Sequence, residues 1–205
     1  MEPIKTIKEL EESFERLPGI GGKTAERLAY ATLRLSKEEK EAFVKAFEDS
    51  LTKVTKCPHC GFYFEENCPL CSDKDRDQKT LLVVSESKDI LSIEKTKTYH
   101  GLYFTLDGLL SPLKNKTPSA IGVDHLLKRV QEEGIQEVIL ALPTDMEGET
   151  TRLYLSNALS RLSVKVSRLA YGIPVGTHLE YLDNLTIAQS IQYRVDMDKG
   201  GKKNG

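Results

Sequence analysis

Cys57, Cys60, Cys68 and Cys71 are all the cysteines in the chain, spaced as Cys-x2-Cys-x7-Cys-x2-Cys in CPHCGFYFEENCPLC. Two such pairs can close a tetrahedral thiolate site, and Pro58 and Gly61 favour the tight turns that aim backbone amides at the sulfurs. Four thiolates leave no open position for water, so the zinc ion expected here, one per chain, is structural. Unligated buried thiols scatter along a chain, whereas these are paired among polar residues, and no cysteine is left over for a disulfide elsewhere. His59, between the first two, could replace one thiol, but four make it unnecessary.

A second chemical signal is Leu17-Pro-Gly-Ile-Gly-Gly-Lys-Thr-Ala-Glu-Arg-Leu-Ala29. Two short helices joined by a Gly-x-Gly turn expose amides around Gly19, Gly21 and Gly22 at the start of the second helix, where a phosphate oxygen is favoured. Lys23 and Arg27 are four residues apart and share a helix face that can follow a nucleic-acid backbone. From Arg16 to Arg34 the charges are Arg16, Lys23, Arg27 and Arg34 against Glu26 alone. Gly22-Lys-Thr24 resembles the end of a nucleotide-binding loop, but Leu17 stands where that loop needs glycine, and no strand precedes it. The pattern is that of a helix-hairpin-helix, which grips DNA phosphates without reading sequence.

A third candidate is Leu142-Pro-Thr-Asp-Met-Glu-Gly-Glu-Thr150, with Asp145, Glu147 and Glu149 beyond a strand end. In an α/β sheet that is where ligands bind. With Glu86 after an earlier strand, these carboxylates could form a magnesium site. Against this, loop carboxylates are common, and Glu149 near a helix N-terminus is favoured by the dipole alone. His100, His125 and His178 fall in no recognisable catalytic arrangement.

The elements that must position these residues differ along the chain. Residues 1–53 are helical, with Ile7, Leu10 and Phe14 on one face and Ala25, Leu28, Ala29 and Leu33 on another. Ser36-Lys-Glu-Glu39 is a capping box opening a third helix that carries Phe43, Ala46, Phe47 and Leu51. The cysteine segment follows (residues 54–77), ending in the charged linker Ser72-Asp-Lys-Asp-Arg-Asp77. Over residues 78–170, strands are expected at Leu81–Val84, Gly101–Thr105, Glu137–Leu142 and Val164–Leu169. Helices are expected at Val123–Glu133 and Glu149–Leu162. This alternation implies an α/β sheet with parallel members, and so an α+β multidomain chain. Asn184–Tyr193 is expected to close the fold as a helix within residues 171–197, and residues 198–205 are expected to form a disordered tail.

Composition limits the function. The net charge of −2 over 205 residues gives no global attraction to nucleic acid, so any binding comes from the local patch or from several copies together. There is no apolar run of membrane-spanning length, and MEPIKTIKELEES lacks a signal-peptide core, so the cytoplasm is the expected location.

Taken in order, LPGIGGKTAERLA, CPHC and CPLC followed by CSDKDRD, VVSESKDIL, GLYFTLDGLLSPL, EVILALPTDMEGETTRLYL and RLAYGIPVGTHLEYLDNLT resemble the RecR family of bacterial recombination mediators. The likeness runs from Leu17 to about Ile187. It implies a Toprim α/β domain, a ring-like homotetramer assembled partly through residues 171–197, and binding of single- and double-stranded DNA at the nucleoid. It further implies RecO and RecF as partners in loading recombinase on single-stranded DNA. Toprim enzymes use a glutamate after the first strand and an Asp-x-Asp pair after a later one. Here Ser85 holds the glutamate position, Glu86 comes one residue late and faces the other way, and Pro143 holds the first aspartate position. His178 stands where the family more usually has an acidic residue. The resemblance therefore implies a non-enzymatic protein, with Asp145, Glu147 and Glu149 as a docking patch for a basic partner. The alternative is a magnesium-dependent Toprim nuclease or topoisomerase-like enzyme using Glu86, Asp145 and Glu147.

Overall fold

The computed structural model describes residues 4–196, so the expected tail lies outside the described residues. The chain divides into two compact units, Met1–Thr55 and Lys56–Gly205.

In the first unit, helix α1 (Lys5–Glu15) packs on α2 (Gly22–Leu33), and α3 (Lys37–Lys53) follows. Ala25 and Ala29, one turn apart on α2, are fully buried, and Ile7, Leu10 and Phe14 of α1 are half-buried, as their spacing requires. Ser36 caps α3 through a complete capping box with Glu39. The stripe of α3 is a different matter: Phe43, Phe47 and Leu51 are 54%, 62% and 72% exposed. Leu33, expected on the buried face of α2, is also largely exposed.

At the boundary come strands β1 (Thr55–Lys56) and β2 (Tyr63–Phe64) and the short helix α4 (Pro69–Ser72); Cys71 lies on α4 and the other three cysteines in the connections between these elements. There follow β3 (Asp77–Val84), α5 (Ser87–Glu94), β4 (Gly101–Thr105), α6 (Val123–Glu132), β5 (Glu137–Ala141), α7 (Met146–Leu159), β6 (Lys165–Arg168) and α8 (Asn184–Gln192). The last four strands make one wholly parallel sheet in the order β4-β3-β5-β6. Parallel neighbours need crossovers, and α5, short and with only Ile90 buried, supplies one that periodicity does not reveal.

Alternation along the strands sorts the core into two layers. Leu81, Val83, Leu102, Phe104, Val138 and Leu140 face α6 and α7 through Leu126, Val130, Leu155 and Leu159. Leu82, Val84 and Tyr103 face the opposite way and share a cluster with Ile90, Leu70, Cys57, Cys60 and Cys68. The cysteine segment thus roofs one face of the sheet.

Two boundaries differ from the sequence expectation. Composition marks Ser72–Asp77 as a linker, yet β3 begins at Asp77 and Arg76 is an anchor. Its guanidinium pairs with both oxygens of Glu94 at 3.1 and 2.8 Å, donates to the Gly101 carbonyl at 3.1 Å and lies over the Tyr103 ring. Helix α7 starts at Met146 rather than Glu149, because the Asp145 carboxylate accepts from the Gly148 amide at 2.8 Å and caps the helix upstream.

Candidate metal centre and nucleic-acid interface

The first cysteine pair sits on a tight turn. The Cys57 amide donates to the Phe62 carbonyl at 2.8 Å, the Gly61 amide to the Cys57 carbonyl at 2.9 Å, and Gly61 takes φ +76°. A side chain on Gly61 would also meet the Thr105 Cβ at 2.8 Å. Such an approach lets the Thr105 amide, at the end of β4, donate to the Cys60 carbonyl at 2.8 Å. Cys68 caps α4, whose first residue is Pro69, and this one-turn helix brings Cys71 back to Cys68.

The four sulfurs lie within 4.8 Å of one another, with Cys57–Cys71 at 3.8 Å and Cys60–Cys68 at 3.5 Å. A tetrahedron with metal–sulfur arms of about 2.3 Å has edges of about 3.8 Å, so the donor set fits a thiolate-bound cation. Hydrogen bonding from Cys71 pushes the Cys60 thiol down to about 5, burial pushes Cys68 up to about 11, and Cys71 is pushed up by its bond to Cys60. Metal ligation requires thiolates, and a bound cation would supply the charge that compensates four of them. Three of the thiols are buried and Cys71 is exposed. Among the described residues this is the one group of three or more His, Cys, Asp or Glu side chains placed to hold a metal.

Glu86, Asp145 and Glu147 form no such group. Glu86 precedes α5 and pairs with Lys88, and the neighbouring Ser85 is buried. Both line a cleft of about 670 Å³ at the ends of β3 and β4, beside Tyr63, Thr105 and Asp107, with neither Asp145 nor Glu147 in its walls.

The carboxylates of the acidic loop are each engaged within the chain. Asp145 caps α7. Glu147 accepts from Lys114 Nζ at 3.1 Å on both oxygens, and bonding to Ser111 and Lys114 lowers its pKa. Glu149 is gripped by Arg152 and accepts from the Tyr171 hydroxyl at 2.8 Å, Arg152 being the main cause of its lowered pKa. Arg152 also caps the end of the β5 strand, donating to the carbonyls of Leu142 at 2.9 Å and Pro143 at 3.1 Å.

In the first unit, Gly19 has φ +80°, Gly21 is the N-cap of α2, and Gly22 is its first residue. The amides of Thr24 and Ala25 donate to the Gly21 carbonyl at 2.9 and 3.0 Å, while those of Gly22 and Lys23 have no acceptor among the described residues. The side chains of Lys23 and Arg27 are exposed and make no ion pair among the described residues. Two free amides at a helix start and two uncommitted cations make a surface suited to a phosphodiester.

Sequence reasoning missed the buried arginines. Arg129 falls between Leu126 and Val130 on the buried face of α6, and that register was its only signal. Arg76 and Arg152 carry no local sign of their role.

A parallel α/β sheet with an acidic loop after its third strand, roofed by a four-cysteine module and preceded in sequence by a helical hairpin, defines a Toprim-type protein with a nucleic-acid-binding motif. The Toprim domain model matches residues 79–170, and the models "RecR, helix-hairpin-helix" and "RecR, C-terminal" match residues 7–51 and 172–195. Recombination protein RecR of Pediococcus pentosaceus is 43% identical over 199 residues, covering 96% of this chain and all of that protein. The Lactiplantibacillus plantarum RecR is 41% identical over the same share of both chains, and the Bifidobacterium longum RecR 42% over 92% of this chain and 94% of its own. The chain belongs to the RecR family.

Proposed function

We propose that this chain is a non-enzymatic DNA-binding mediator of recombinational repair, acting with RecO and RecF to help load recombinase on single-stranded DNA. The observation that carries the reading is the pairing of uncommitted Lys23 and Arg27 with the open amides of Gly22 and Lys23, in a chain that matches RecR proteins along nearly its whole length. Gly19, Gly21 and Gly22 let the backbone approach a phosphate, and Lys23 and Arg27 supply the charge. One hairpin with so few charges binds weakly, and a ring-like homotetramer presenting several copies raises the effective affinity. The exposed stripe of α3 and the exposed Leu179, Tyr181, Leu185 and Ile191 are surfaces that such an assembly would cover.

The ion at Cys57, Cys60, Cys68 and Cys71 is zinc in this reading, one per chain, with a structural role. Asp145, Glu147 and Glu149 form the docking patch for a basic partner, at a site that offers too few converging carboxylates for catalytic magnesium. No helix among the described residues is long and apolar enough to cross a membrane, which agrees with a place beside the nucleoid.

The test is retention of single- and double-stranded DNA across a salt series by wild type and by Lys23→Ala/Arg27→Ala, with native mass measured in parallel. Salt-dependent retention that the double variant abolishes supports the reading; equal retention by both removes the hairpin from it. DNA cleavage with magnesium that disappears in Asp145→Ala would overturn the non-enzymatic assignment. A purified protein without stoichiometric zinc would sink the metal assignment alone.

A further inference from the structure

Cys71 is the one exposed cysteine of the cluster, and the residue between the first two cysteines stands against it: His59 Nδ1 is 3.5 Å from Cys71 Sγ. The other ring nitrogen, Nε2, is 2.6 Å from Glu133 Oε1, which follows the last turn of α6. Glu133 is itself fixed, because Arg129 Nε donates to both of its oxygens at 3.1 Å. The same guanidinium donates through one terminal nitrogen to the His59 carbonyl at 3.1 Å and to the Tyr103 carbonyl of β4 at 2.7 Å.

Arg129 is 3% exposed. A charge so buried is tolerated only when its donors are satisfied, and here all the acceptors belong to three elements that must stay together: the first cysteine turn, strand β4 and helix α6. Packing alone would be served by an aliphatic side chain. The arginine instead satisfies two main-chain carbonyls, one of which lies between Cys57 and Cys60.

We propose that Arg129 and Glu133 form a clamp that acts through His59 to position Cys71 and the first cysteine turn, so that metal retention is set by helix α6 as well as by the four thiols. The inference rests on the reading of the cysteine cluster as a metal site. Residues that orient ligands from behind change metal affinity by about 10- to 100-fold when removed. His59 and Glu133 are positioning residues here: neither replaces a thiol, His59 meets Cys71 directly and Glu133 acts on it through His59.

The experiment uses the full chain with its metal bound. Metal release to a chromogenic chelator and the alkylation rate of the cysteines are measured in wild type, His59→Ala, Glu133→Gln, the double variant, Arg129→Met and Lys128→Ala. A cobalt-loaded sample of each gives the tetrahedral thiolate absorption band. The expected result is metal release about tenfold or more faster in His59→Ala and in Glu133→Gln, with Cys71 alkylated first. The double variant should be no faster than the faster single one, since both cut the same link. Lys128→Ala, on the same helix but paired with Glu132, should match wild type. Cobalt spectra should keep their tetrahedral form in every variant while the thiolate-to-metal band moves in His59→Ala. Arg129→Met removes a buried group and serves as the most severe case; His59 and Glu133 have partly exposed side chains (46% and 30%), so their variants test the clamp even if that one fails to fold. Release within twofold of wild type in both His59→Ala and Glu133→Gln would overturn the clamp and leave the metal site standing. A wild-type chain that retains no metal would overturn both.

Discussion

The Tyr171 hydroxyl donates to the Glu149 carboxylate at 2.8 Å, across 22 residues of sequence. Arg152 grips the same carboxylate, and Arg168 stacks on Tyr171 at 4.0 Å and on Tyr193 at 4.8 Å. Glu149 therefore tethers the segment after β6 to the start of α7, whatever else it binds. Tyr171→Phe keeps the ring and removes one hydrogen bond to a charged acceptor, a loss of about 1.5–3 kcal/mol if fully buried and less at this partly exposed site. Thermal unfolding should show a reduced midpoint for Tyr171→Phe. An unchanged midpoint would mean the tether is idle.

Gly148 is fixed by a close approach. A Cβ there would lie 2.1 Å from the Pro143 carbonyl oxygen and 2.8 Å from its carbon, both main-chain atoms. Backbone cannot yield as a flexible side chain does, so Gly148→Ala should destabilise the second unit by about 3 kcal/mol or abolish folding. Denaturant midpoints, with Gly172→Ala as a control at a glycine with open space around it, provide the comparison.

The Arg76–Glu94 pair gives a pH dependence with a defined sign. Bonding to Arg76 holds the Glu94 carboxyl below the usual range, with the Tyr103 hydroxyl donating to it at 2.6 Å as well. A carboxylate with a lowered folded pKa contributes stability above its unfolded value of about 4.3, and that contribution fades as pH falls through the folded pKa. Stability should thus drop on acidification below about pH 4, and the drop should be shallower in Glu94→Gln, which has nothing to titrate. Parallel slopes in the two proteins would remove Glu94 from acid unfolding.

The hairpin reading has a quantitative salt signature. Each phosphate neutralised on single-stranded DNA contributes about 0.7 to the slope of log affinity against log salt. Lys23→Ala and Arg27→Ala should each lower the slope by about that amount per chain engaged, whereas Lys88→Ala, on α5 and paired with Glu86, should leave it unchanged. A slope insensitive to both hairpin variants would place the contacts elsewhere.

The sequence by itself determined the features whose geometry is local. Paired cysteines, Ser36 with Glu39, the glycines of the hairpin and the apolar runs at 81–84 and 137–141 each form structure with near neighbours, so composition and spacing suffice. The Asp145 cap was equally local but was overshadowed by the carboxylates after it, and the start of α7 moved accordingly. Only the tertiary structure decided what faces what. His59 meets Arg129 from 70 residues away and Glu133 from 74, Arg76 reaches Glu94 and Gly101, and Tyr171 closes on Glu149. Whether a charged side chain is a solvated ornament or a buried strut depends on which distant carbonyls the parallel crossovers bring to it, and no short window of sequence holds that information.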